Sequence, residues 1–301
     1  MAEIVGQPPE QAVLLGQRQA LIGILTRPAS TDRAGDRAVV FLNTGVIHRV
    51  GHHRMFVTMA RAVARAGYFA VRFDFSGVGD SGPRTDGLSP VESCLADIGE
   101  VLDWLEQEKG IRQIVLVGLC SGADQAILYG HSDPRVTALV LIDPTIPATS
   151  RYYRHYIRQR LIDPSNWIGV LTGRSFILRS LAEELRHMLR PSRDLRQVTL
   201  QNLRFHPVLE QSYRNSVARG IRMLAAFSQD STRQTYREQI LEAFPNLAFG
   251  DRLQLEFFRD SDHTFSAKPD RERLVELILT WLDPPGAIQQ VGALDAGPAG
   301  A

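Results

Sequence analysis

The chain has 301 residues, 44% of them apolar, and carries 34 basic against 33 acidic side chains, a formal charge of +1. That length allows one large domain or two small ones with a substantial core, and the balanced charge excludes a global field for nucleic acid or an anionic membrane. Two cysteines exclude a disulfide framework, and no run approaches the ~18 apolar residues of a membrane span.

Met1 to Gln11 lacks the basic and apolar regions of a secretory leader, so a soluble cytoplasmic protein is expected. Ala12–Leu15 and Ala20–Thr26, separated by Gly16-Gln17-Arg18, read as a β-hairpin at a sheet edge. Ala38–Leu42 reads as a buried strand of the parallel type and runs into Asn43-Thr44-Gly45-Val46. His52 to Ala66 is amphipathic at helical spacing, with Phe56, Met59, Ala60 and Val63 on one face.

The next strand, Phe69–Asp74, leads into Gly77-Val78-Gly79-Asp80-Ser81-Gly82. This matches the dinucleotide fingerprint letter for letter. That fingerprint, however, needs a helix to begin among the glycines and meet a pyrophosphate. Here the loop continues, and the helix Val91 to Glu108 starts only near Pro90. No nucleotide cofactor is expected.

The strand Gln113–Leu119 and the helix to about Gly130 are followed by the strand Val136–Ile142, ending at Asp143-Pro144. Alternation of this kind argues for a mostly parallel sheet with helices on both faces. From Thr145 to Arg219 the pattern breaks into irregular helix without strand candidates, as in an inserted lid. Between Arg151 and Arg219 thirteen arginines face five acids. Either they form a solvated face, or they form a docking surface for an acidic partner such as an acyl-carrier protein.

The sheet resumes with Ile221–Ser228, a helix Arg233 to Phe244, the strand Leu253–Phe258 and a last helix, Pro269 to Leu282. Residues 12–144 and 220–283 are thus the core, 145–219 the lid, and 284–301 a flexible tail.

Between strand and helix stands Gly118-Leu119-Cys120-Ser121-Gly122. This is the frame of a nucleophile elbow, in which the central residue is lifted clear of the sheet on a strained bend. Small residues two places either side let the strand and helix backbones meet. Cys120 is the expected nucleophile, and the Ser121 N–H is one expected oxyanion donor. Cys94, within a helical pattern, reads as a small buried hydrophobe.

A thiol attacks as thiolate, so it needs an imidazole to take its proton and an acid to orient that imidazole. In a parallel sheet these groups lie at the carboxyl ends of strands. His263 follows the last strand. Asp230 follows the strand before it and is preferred as the acid. Asp143, which also ends a strand, is its competitor. Asp262 adjoins His263 and reads as a loop brace. The second oxyanion donor is expected at Gly45, with Thr44 and Val46 as alternatives. His48 and Arg49, beside it, are candidate substrate contacts. A metal on His48, His52 and His53 lacks a completing cysteine or acid, and none is expected.

With nucleophile, acid and histidine in that order, the chain resembles the α/β-hydrolase superfamily from about Ala12 to Leu282. The turn Asp74-Phe75-Ser76-Gly77-Val78-Gly79-Asp80-Ser81 is similar to one common there. Within the superfamily, Asn43–Arg49 together with the cysteine elbow is similar to the exosortase-associated hydrolases. The cysteine elbow is shared with dienelactone hydrolases, polyhydroxyalkanoate synthases and aminoacyl shuttles of peptide synthetases. The resemblance implies an α/β-hydrolase fold with an eight-stranded sheet. An enzyme-bound thioester passes readily to amine, alcohol or thiol. With the basic lid, this leads to the expectation of a cysteine-dependent acyl thioesterase or acyltransferase. Its substrates would be carrier- or coenzyme-A-bound acyl groups. A small ester or lactone hydrolase and a non-catalytic binding protein are the rival readings.

Overall fold

The apolar segments assemble into one eight-stranded sheet. The computed structural model describes residues 7–16, 20–28, 36–147, 149, 151, 207–229 and 236–283. The expected tail, 284–301, and most of the expected lid, 145–219, lie outside the described residues.

The strands are β1 (Glu10–Leu15), β2 (Leu21–Thr26), β3 (Arg37–Leu42), β4 (Phe69–Phe73), β5 (Gln113–Leu119), β6 (Val136–Ile142), β7 (Arg222–Ser228) and β8 (Leu253–Phe258). Their spatial order is β1-β2-β4-β3-β5-β6-β7-β8. The hairpin β1–β2 is antiparallel, as is β2 to β4; every other pair is parallel.

Burial on both faces explains the continuous apolar strands. Ala38, Val40 and Leu42 of β3 enter one core with Leu116 and Leu141, whereas Val39 and Phe41 enter the other with Val117 and Val140. The first core is covered by helices α2 (Pro90–Lys109), α3 (Ser121–Gly130) and α4 (residues 207–218), and the second by α1 (Met55–Arg65) and α6 (Lys268–Leu282). Among the described residues no helix is long and apolar enough to cross a membrane.

Two helices are shorter than their periodicity predicts. The pattern over His52 to Ala66 opens as a 3-10 turn, His52–Arg54, before α1 begins at Met55. His53 and Arg54 both have left-handed backbones, which break the regular helix. Of the pattern over Arg233 to Phe244, the described residues 236–244 form α5 (Gln239–Ala243). There the Arg237 guanidinium donates to the Leu255 carbonyl, 2.6 Å from Nη2, and Glu238 is non-helical.

Strand β3 lies between β4 and β5. Successive crossovers therefore leave β3 in opposite directions, and the carboxyl ends of β3 and β5 open a crevice between them. All the candidate site residues of the described chain gather at that end.

Candidate active site

Strand β5 delivers Cys120 to a bend that few residues adopt. Its φ is 55° and its ψ −120°, and it caps the amino end of α3. Both flanking glycines are required by contact. A Cβ at Gly118 would stand 2.1 Å from the carbonyl carbon of Gly122, and a Cβ at Gly122 would stand 2.7 Å from the carbonyl oxygens of Leu42 and Asn43. The bend is locked by the Cys120 N–H donating to the Ile142 carbonyl, 2.8 Å, and by Ala123 N–H donating to the Cys120 carbonyl, 2.9 Å. The half-buried thiol packs beside the core under α1 and α6.

The loop after β8 carries His263. Asp262 braces that loop: its carboxylate accepts from Thr264 N at 2.8 Å and Thr264 Oγ1 at 2.7 Å, and also from Ser266. The hydroxyls of Ser266 and Thr264 hold its pKa well below the usual carboxylate range. Asp262 is a structural anchor, in keeping with its place beside the histidine.

The acid that meets the imidazole is Asp143. Its Oδ2 lies 2.9 Å from His263 Nδ1, so the sequence's second candidate acid is the one seen on the imidazole. Asp230 itself lies outside the described residues. Strand β6 ends with Asp143 in a left-handed backbone, φ 46°, and the carboxylate is fully buried. Ser228 at the end of β7 donates to it twice, from N at 2.7 Å and from Oγ at 2.6 Å. Three donors make a buried carboxylate tolerable. The following Thr145 is tied to Asp124 of α3 through N, 2.8 Å, and Oγ1, 2.7 Å.

His263 is thereby strongly basic. The hydrogen bond to Asp143, then that to the Cys120 sulfur, push its pKa up to about 10 against the opposing effect of burial. With Nδ1 on Asp143, Nε2 is the nitrogen left for Cys120. Thiol, imidazole and carboxylate thus form one chain. The imidazole is thereby placed to take or return a proton beside the sulfur.

The loop after β3 meets the elbow as expected, but with an unforeseen partner. Gly45 N–H donates to Ser121 Oγ at 2.7 Å. The Asn43 side chain braces this loop, donating to the Ile47 carbonyl at 2.8 Å and accepting from Phe75 N at 2.8 Å. Val46, 86% exposed, projects from it.

Arg49, a candidate substrate contact from sequence, is held in ion pairs. Its guanidinium is paired with the fully buried Asp74 and with Asp80, at 2.7 Å from the latter, and its N–H also donates to Asp74. His48 is exposed and makes no side-chain hydrogen bond to another described residue. His52 went unassigned from sequence, yet it is half-buried close to the site. Burial, then the charges of His53 and His263, lower its pKa.

Asp74 also explains the glycine loop. A Cβ at Gly79 would stand 2.3 Å from Asp74 Oδ2, and Asp80 N–H donates to that same oxygen at 3.2 Å. The loop is folded around a carboxylate, the opposite of a phosphate cradle. Among the described residues no three His, Cys, Asp or Glu side chains converge as a metal site.

Comparison with known proteins agrees with this architecture. A model of the alpha/beta hydrolase fold matches residues 38–167. No curated protein matches the chain. Among solved structures, the chain is similar to an alpha-beta serine hydrolase homologue from Coxiella burnetii, with 16% identity, a TM-score of 0.56, and coverage of 93% of this chain and 100% of that one. An esterase from Pyrococcus furiosus gives 16% identity and a TM-score of 0.56, covering 91% of this chain and 92% of that one. A ferulic acid-bound Est1E from Butyrivibrio proteoclasticus gives 15% and 0.57, covering 90% and 96%. The fold of the chain is that of the α/β hydrolases.

Proposed function

We propose that this chain, an α/β hydrolase by fold, is a cysteine-dependent acyl-transfer enzyme acting on carrier- or coenzyme-A-bound acyl groups. The observation that carries this reading is the alignment of the Cys120 elbow, the His263 imidazole and the buried Asp143 carboxylate.

The chemistry follows from those groups. The Cys120 sulfur attacks the acyl carbon, and the carbonyl π pair moves onto oxygen, beside the Ser121 N–H. That N–H stands in the first turn of α3 and has no intrahelical acceptor. Collapse expels the leaving thiolate, which takes the proton held by His263. The imidazole, now neutral, deprotonates the incoming acceptor, and the acyl group leaves Cys120. Asp143 fixes the tautomer throughout. The formal excess of basic residues between Arg151 and Arg219 supports an acidic carrier or a phosphate-bearing acyl donor.

Intact mass of wild type and Cys120→Ala after exposure to acyl-coenzyme A thioesters tests the reading. A stoichiometric acyl adduct is expected on wild type alone; adducts on both, or on neither, would reject it. The esterases among proteins of like fold favour a second reading, hydrolysis of small esters. A strong preference for nitrophenyl esters over thioesters would select it.

A further inference from the structure

On the proposed reading the Ser121 N–H is one oxyanion donor, and the second was expected at Gly45. The Gly45 N–H already has an acceptor, Ser121 Oγ, at 2.7 Å. Both partners are held firmly. A Cβ at Gly122, next to Ser121, would stand 2.7 Å from the carbonyl oxygens of Leu42 and Asn43, so the helix start has no room to shift toward β3. The Gly45 loop is closed by Ile47 N–H on the Thr44 carbonyl, 2.9 Å, and by Asn43 Nδ2 on the Ile47 carbonyl.

A hydroxyl accepts at its lone pairs and donates one proton. At Ser121 the Gly45 N–H takes up a lone pair, and the O–H finds no acceptor among the described residues. The same residue follows the nucleophile and carries the expected backbone donor. An O–H that accepts from an N–H is polarised into a better donor.

We propose that the Ser121 hydroxyl is itself the second oxyanion donor, and that Gly45 N–H is a positioning group behind it. The proposal rests on the reading of Cys120 as the acyl acceptor. When the S–C bond forms and the carbonyl pair moves to oxygen, Ser121 presents two donors, N–H and O–H, to the negative charge. No proton is transferred from Ser121. Collapse re-forms the C=O bond, and the leaving group departs with the His263 proton. Ser121 is thus a catalytic residue in its own right, whereas a plug that substrate must displace would act in the opposite sense.

The test is single-turnover acylation of Cys120, followed by intact mass, with a set of acyl-coenzyme A thioesters of two to twelve carbons and nitrophenyl butyrate as probes. Ser121→Ala should lower the maximal acylation rate by about 10²–10³-fold, as loss of one oxyanion donor does, with little change in half-saturation. Ser121→Thr, which keeps the hydroxyl, should restore the rate to within about tenfold of wild type. An equal or faster rate in Ser121→Ala overturns the proposal, as does an equal loss in Ser121→Thr or a loss confined to half-saturation. In each of those cases acylation of Cys120 in wild type leaves the broader reading intact. Failure of wild type to acylate with any probe overturns both.

Discussion

His263 Nδ1 and Asp143 Oδ2 lie 2.9 Å apart across 120 residues of chain. Ser228 donates to both carboxylate oxygens, N–H to Oδ1 and Oγ to Oδ2, which fixes the group that holds the imidazole. Asp143→Asn should preserve the fold and lower kcat/KM by about 10³–10⁴-fold, the scale of mispositioning such a histidine. Asp230→Asn should change it little. Steady-state kinetics on the two variants decide which acid serves the site.

The raised pKa of His263 has a pH signature. Its folded value, about 10, exceeds its unfolded value near 6.5. The protonated imidazole therefore adds stability in full below pH 6.5, and the contribution fades as pH rises through about 10. The side chain is partly exposed, which moderates the effect. Urea denaturation of wild type and His263→Gln between pH 6 and 10.5 should show a gap that narrows with rising pH. A gap that widens would contradict the assignment.

Gly118→Ala places a methyl on the backbone of Gly122 and Ala123, atoms that cannot swing aside. A loss of at least about 1–3 kcal/mol is expected in urea denaturation, as for overpacked cores, with loss of Cys120 alkylation by iodoacetamide as the elbow opens. Gly45→Ala meets no atom within 4 Å and suffers only its φ of 53°, so it should retain most of its stability.

Arg49→Ala removes the cation paired with a buried carboxylate, Asp74. The cost should be about 3–5 kcal/mol, typical of a broken buried pair. Were Arg49 a substrate contact instead, the variant would keep its stability and raise KM.

The sheet, both helical faces and the elbow were legible because they depend on local pattern: continuous apolar strands, helical spacing and two glycines around Cys120. The capping box of Ser89 and Glu92 with Pro90 likewise sets the start of α2 where the sequence put it. The choice between Asp143 and Asp230 was not legible, since both follow strands. That the braced loop of His263 reaches Asp143 is a long-range matter. The ion pairs of Arg49 were not legible either, because its partners, Asp74 and Asp80, sit on another loop. The left-handed pair His53 and Arg54 was also invisible, for neither residue type announces a positive φ.

Among the described residues His263 follows β8, which pairs with β7 at the end of the strand order, so the imidazole comes last in the chain. The sulfur, its bend and the helix behind it are all encoded by residue 130, yet the base that arms them comes from the far end. A polypeptide ending before residue 253 carries the Cys120 thiol without His263. On the proposed reading of Cys120 as acyl acceptor, the sulfur gains its base only once the last strand has docked.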